Sequence, residues 1–322
     1  MSIEFKIIAS HKHYYIIPCI IDVFQNKLSY YYMNKILGLI ITIGCIIGGF
    51  SAMGGNTYAL MQPFEFIIVA GAGFGGFIMS NQVRVLKDSG RAILEIFGYK
   101  SHEPQFYFDI LRILYSLMNH LKNKSKVETE RQIDDPHNSP IFTLIPKILE
   151  NHELTTFICD YIRIIIVGNA QSHEIEILMD EEIDTILSEK LKPYHAIASM
   201  GEAFPAIGIV GAILGIVRAM GNISDSPQIL GEAIASSLTG TMLGIILSYL
   251  ICHPLIEQIK STRLKQHIPY IIVKKTIIAY INGAVPQVAI EYGRKSLPMY
   301  ERPSIEIIEQ EVIQYNYDQE AS

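Results

Sequence analysis

AFPAIGIVGAILGIV, residues 203–217, and AIASSLTGTMLGIILSYLICHPLI, residues 233–256, decide the fold. Neither run carries an acid, a lysine or an arginine. Between them GNISDSPQ has the glycine, asparagine, serine, aspartate and proline of a loop. A membrane helix needs about 20 mainly apolar residues. The second run has that length, and the first gains it from the weakly apolar HAIASMGE before it. Gly211 and Gly215, and Gly240 and Gly244, recur four apart and let helix backbones come close. Ser236, Ser237, Thr239, Thr241 and Ser248 interrupt the second run with hydroxyls. In lipid such groups turn toward protein or water. Each run also has a proline near one end, Pro205 and Pro254. Two packed membrane helices with no pathway would share many of these features.

The rest of the composition agrees with a membrane chain that has a large aqueous part. Of 322 residues, 49% are hydrophobic and 18% are charged, and the mean hydropathy is +0.26. Soluble domains average about 25% charged. The net charge of −6 gives no reason to expect nucleic acid. The four cysteines are far apart and form neither a disulfide framework nor a metal spacing.

Residues 1–32 hold HKHYY, a short apolar patch broken by Pro18, and YYY. The patch is too short to span a membrane. MNKILGLI, from Met33, reads as the natural start, with 1–32 expected to be an N-terminal extension; the alternative is a genuine tail of unknown role. Residues 36–53 form the first expected span, with Gly44 and Gly48 four apart, and Pro63 opens a second that ends near Val83. Within it Gly71, Gly73 and Gly76 match the G-x-G-x-x-G of dinucleotide sites. That site needs a βαβ unit and a following acid; Glu95 has the spacing but no second β-run precedes it. The glycines read better as helix packing, which leaves a membrane-bound dinucleotide enzyme as the weakest reading.

From Arg84 to Pro193 the chain is polar. Phe106, Ile110, Ile113, Leu114, Leu117 and Leu121 recur at helical spacing, and residues 154–191 are expected to be helical. A charge cluster, Lys122 to Asp135, lies between. Past Ile256 come a basic amphipathic stretch, a short motif and an acidic tail expected to lack a fold. The segments after Val83 and Ile256 are rich in Lys and Arg, whereas the two turns carry one basic residue at most, Arg218. Basic flanks stay on the cytoplasmic side. The expectation is an all-α fold: a four-helix transmembrane protein in the inner membrane with both termini cytoplasmic. Its parts are spans one and two (33–83), a helical cytoplasmic domain (84–199), spans three and four (200–256) and a cytoplasmic C-terminal tail (257–322).

No nucleophile with a base, phosphate loop or His/Cys cluster argues for an enzyme, a cofactor or a metal. An ion route through lipid needs a titratable group at depth. No expected span has one near its middle; Glu65, Glu202 and Glu232 lie at span ends. If ions pass, a partner supplies the carboxylate against the hydroxyl-lined face.

QPFEFIIVAGAGFG, ETERQIDDP, IFTLIPKIL, IEILMDEEID, FPAIGIVGAILGIV, LTGTMLGIILSY, HPL, AIEYGRK and ERPS follow in order. Together they resemble the MotA family of flagellar stator proteins, from Met33 to about Ser304. The resemblance implies a proton-conducting subunit that turns ion flow into torque. It implies a pentamer around two copies of a MotB-type subunit, whose single span bears the essential aspartate and whose outer domain binds peptidoglycan. It implies that Pro205 and Pro254 couple ion flow to movement; their plainer role is to end helices. Thr241 would face the partner's aspartate, or else bond its own preceding turn. Ala212 stands where sodium-driven members carry a second threonine, which implies H⁺ as the coupling ion. Lys122 and Glu130 match the two charged positions that engage the rotor's switch-ring protein of FliG type. The family usually has arginine where Lys122 stands, so the bidentate fork is lost, and Lys124 or Lys126 would share the work. An ExbB/TolQ-type energiser of outer-membrane processes is the alternative; it has three spans.

Overall fold

The computed structural model describes residues 37–98, 104–168, 171–221 and 227–314. The expected extension, Met33 and the residues past 314 lie outside these residues, as do 222–226 of the polar turn. The start of the acidic tail, expected to lack a fold, is instead helical over 305–314, because Ile308 and Val312 are buried in the core. Every regular element among the described residues is helical. They are α1 (Leu37–Ala52), α2 (Pro63–Ser80), α3 (Val83–Gly98), α4 (Pro104–Asn123), α5 (Lys126–Asp134), α6 (Pro140–Thr143), α7 (Pro146–Leu149), α8 (His152–Val167) and α9 (Ser172–Gly221). After them come α10 (Pro227–Ile245), a π-helical stretch (Ile246–Cys252), α11 (His253–Ile281), α12 (Pro286–Lys295) and α13 (Ile305–Ile308). Among the described residues three helices are long and apolar enough to cross a membrane: α2, α9 and the continuous run Pro227–Ile281. α1 is apolar but shorter over its described residues.

Local chemistry sets several ends. α5 starts on a capping box, Ser125 accepting from the Glu128 N–H while Glu128 accepts from the Ser125 N–H. α8 starts on Asn151 and ends at Gly168, whose φ of 80° is left-handed. The single helix expected over 154–191 is therefore two. In the other direction, α9 runs on through Pro193 and Pro205.

The chain divides into two compact units. The first combines the residues up to Gly75 with Glu202–Ile251. Its surface carries large apolar side chains, among them Phe66, Ile67, Ile209, Ile213, Val217 and Leu238. Its buried set includes Glu65, Ser237, Thr239 and Ser248. Apolar outside with polar inside inverts the soluble pattern and suits a lipid environment.

The second unit combines Gly76–Gly201 with the chain from Cys252 onward. Its core is built on α4, where Phe106, Ile110, Ile113, Leu114 and Leu117 are buried and Leu121 packs against them. α8 adds Leu154, Phe157, Ile158 and Ile162, α9 adds Ile175, Met179 and Ile183, and α11 adds Tyr270, Val273 and Ile277. The basic stretch past Ile256 is thus largely core. Arg263 is buried between Asp88 (3.5 Å) and Glu95 (3.4 Å) of α3. Lys274 is buried against Asp180 and Glu176 of α9. The short motif is a structural stitch. Gly293 of α12 has no room for a side chain beside Thr276 and Leu111. Arg294 holds Glu291 and donates to the Pro303 carbonyl at 2.6 Å, while Arg302 donates to the carbonyls of Lys295 and Leu297, both at 2.9 Å. The Arg294 hydrogen bonds keep the Glu291 carboxyl below its usual range.

Candidate ion pathway and charged face

In the first unit α9 and α10 cross almost backbone to backbone. A Cβ on Gly208 would lie 3.0 Å from the Gly240 carbonyl and 3.3 Å from Cα of both Thr241 and Gly244. A Cβ on Gly244 would lie 2.5 Å from the Phe204 carbonyl. Gly215 gives the same room to Ser237, whose Cβ would stand 2.7 Å away. The glycine spacing thus marks the contact, although Gly208, outside the four-residue pairs, sits at its centre. Of the dinucleotide-like glycines, Gly73 packs against Phe204, while Gly71 and Gly76 have open space.

Hydroxyls of α10 reach across this crossing to carbonyls of α9. Ser237, 1% exposed, donates to the Ala212 carbonyl. Thr241 donates to the Gly208 carbonyl at 3.5 Å. That is the long end of a hydrogen bond, so the hydroxyl is easily released to another partner. Thr239, by contrast, bonds its own helix at Ala235 (2.9 Å). Thr241 and Ala212 therefore lie on the two helices of one crossing, Thr241 at Gly208 and Ala212 at Ser237, and both are half-buried. The side-chain oxygens beside Ala212 come from its neighbours, because alanine has none.

Sequence reading placed Glu65 at a span end and gave it no role. The structure buries it, at 7% exposure, against α9 and α10. Ser236 donates to its Oε1 at 3.2 Å. An acid in the first turn after Pro63, in an otherwise uncharged stretch, was the available signal.

The two prolines for which the resemblance implies a coupling role sit in different settings. Pro205 lies inside α9 of the first unit, half-buried. Without an N–H it cannot bond the Gly201 carbonyl, which leaves a weak point in a long helix. Pro254 lies in the first turn of α11 in the second unit, just after the π-helical stretch. A widened turn beside a missing donor is a usual place for a helix to bend.

Lys122 ends α4 and Glu130 lies in α5; both are exposed, and neither makes an ion pair among the described residues. Several neighbouring charges are committed. Lys126 donates to the Ile166 carbonyl at 2.8 Å, closing the end of α8. Glu128 sits in the capping box, and Asp134 pairs with Arg163 at 2.7 Å. Lys124 is exposed. The suggestion that Lys126 shares the work of Lys122 fits less well than the same suggestion for Lys124.

Residues 36–125 match the family Motility protein A N-terminal, and residues 147–268 match the MotA/TolQ/ExbB proton channel family. Motility protein A of Escherichia coli (strain K12) is 38% identical over 280 residues, covering 87% of this chain and 95% of the relative. The chain belongs to the motility protein A family. Within that family, chemotaxis protein LafT of Vibrio parahaemolyticus is 30% identical over 277 residues, 86% of this chain and 97% of LafT. The fold matches the solved structure of C. jejuni MotAB with a TM-score of 0.63 at 18% identity, over 83% of this chain and 96% of that one. The flagellar MotAB stator complex from Bacillus subtilis matches at 0.60 and 17%, over 82% of this chain and 94% of that one. The dinucleotide reading of Gly71, Gly73 and Gly76 gains no support from these relatives.

Proposed function

We propose that this chain is the ion-conducting subunit of a flagellar stator, coupling proton flow across the inner membrane to torque on the rotor. The observation that carries the reading is the α9–α10 crossing, where Thr241 is loosely held at the Gly208 carbonyl, one turn from Ala212, within an inverted, apolar-surfaced unit. Membership of a family that includes proton channels supports it. The match of residues 36–125 to the motility protein N-terminal family favours a stator over an ExbB/TolQ-type energiser.

In this reading four spans cross the inner membrane and both termini are cytoplasmic. Five copies surround two MotB-type subunits, whose aspartate meets Thr241. Ala212 offers no side-chain oxygen, and a desolvated Na⁺ needs several oxygens whereas a proton needs one carboxylate and a hydrogen-bonded route. The coupling ion is therefore H⁺. Pro205 and Pro254 let α9 and the α10–α11 run flex as the aspartate changes charge. Lys122 and Glu130 press on a FliG-type switch-ring protein.

Exposed charge pairs are worth about 0–1 kcal/mol each. Neutralising Lys122 or Glu130 alone should slow rotation partly. Lys122→Glu combined with Glu130→Lys should stop most tethered cells while membrane levels stay normal. Normal rotation of the double variant would remove these residues from the rotor contact.

A further inference from the structure

Among the described residues Glu65 is the buried acid of the first unit, and nothing in the assigned pathway uses it. Its Oε1 accepts from Ser236, whose hydroxyl also lies 3.4 Å from the Gln62 Oε1. Its Oε2 is buried without a hydrogen-bond partner. That atom occupies a notch that only glycines leave. It lies 3.2 Å from where a Cβ on Gly211 would stand and 2.9 Å from one on Gly240. Val69 flanks the same notch. Gln62, Ser236, Val69 and the two glycines are all non-ionisable, so the carboxyl has no fixed counter-charge among them. Gly240 precedes Thr241 and Gly211 precedes Ala212. The carboxyl therefore touches the same two helices, one residue before the pathway pair.

We propose that Glu65 is a proton-binding station on the outer side of the route that leads to Thr241. This rests on the reading of the chain as an ion-conducting subunit. Ser236 donates to one carboxyl oxygen, and the other is buried with no partner, so it is the atom on which a carried proton would sit. In the working cycle the carboxylate takes a proton from a hydronium ion arriving from outside, leaving water. It then returns the proton to a water on the Thr241 side, and the carboxylate is restored.

The competing account is a packing role: a polar side chain that ties α2 to α10. Glu65→Gln keeps size and hydrogen bonding but carries no exchangeable acid proton. Glu65→Asp keeps the acid on a shorter arm. The full chain and its partner subunit are expressed in a host without stators, and tethered-cell speed is read against external pH at fixed motive force. Removal of a proton-transfer group slows a step by about 100-fold or more. Glu65→Gln should therefore stop rotation at all pH values while membrane level and co-purification with the partner are unchanged. Glu65→Asp should rotate, with its speed–pH profile displaced from wild type. Wild-type speed in Glu65→Gln overturns the proposal alone. So does Glu65→Asp failing together with loss of protein from the membrane. Absence of rotation with the unmodified chain overturns the stator reading on which the proposal rests.

Discussion

Gly244→Val is expected to abolish rotation and to strip the chain of its ability to assemble with a partner. The first added carbon would stand 2.5 Å from the Phe204 carbonyl and 3.1 Å from Gly208 Cα. Both obstacles are backbone, so no rotamer change relieves the clash, and the two helices must separate. Overpacking against movable side chains costs about 1–3 kcal/mol, and a backbone obstacle puts this change at or above the top of that range. Separation also withdraws the Gly208 carbonyl from Thr241 and the Ala212 carbonyl from Ser237. Gly244→Ala should show the same defect in milder form. Yield of the purified complex and tethered-cell speed read the outcome. Wild-type values for Gly244→Val would mean that the crossing is not as close as the structure has it.

Arg112→Met should destabilise the second unit by about 3–5 kcal/mol, the usual penalty for stranding a buried charge. Arg112 pairs with Asp109 at 3.2 Å, with side-chain exposures of 11% and 9%. It also donates to the backbone and side-chain oxygens of Glu311, both at 2.6 Å, which ties the C-terminal segment to α4. Burial already pushes the Asp109 carboxyl above its ordinary range, and Arg112 is the largest opposing influence. Losing the guanidinium raises the folded-state value further. At neutral pH the variant holds a buried carboxylate with only Lys147 and Gln105 left to offset it. As pH falls, the folded protein takes up that proton before the unfolded chain does, so the penalty should be smaller at pH 5 than at pH 7. Arg112→Met with Asp109→Leu should recover much of the loss. Thermal unfolding of the detergent-solubilised protein at the two pH values reads both effects; a penalty independent of pH and of Asp109 would contradict the pairing.

Periodicity and span length were legible because they depend on residues close in sequence. α4 follows from its own apolar spacing, and the α9–α10 pair from two uncharged runs and their glycines. The fates of the charges were not legible. Arg263 and Lys274 look like a solvated basic face, yet each is buried by acids far away in sequence, on α3 and α9. Glu65 hides for the same reason: its burial depends on glycines 211 and 240 on other helices. Prolines misled in a third way. The plainer role of Pro205 is to end a helix, and the helix expected over 154–191 stops short of Pro193, yet α9 runs through both. One lost hydrogen bond does not break a helix that packing and an apolar environment hold together. Local signals ended α8 instead, at Gly168, within a stretch whose apolar pattern continues.

The central claim is that proton flow past Thr241 and Ala212 drives a rotor. It is tested most directly by expressing the chain with its one-span partner in a host without stators. Rotation of tethered cells is recorded with sodium replaced by potassium, and again with sodium present and the proton gradient collapsed. The account predicts undiminished rotation in the first condition and none in the second. Rotation that stops without sodium and persists without a proton gradient would contradict it.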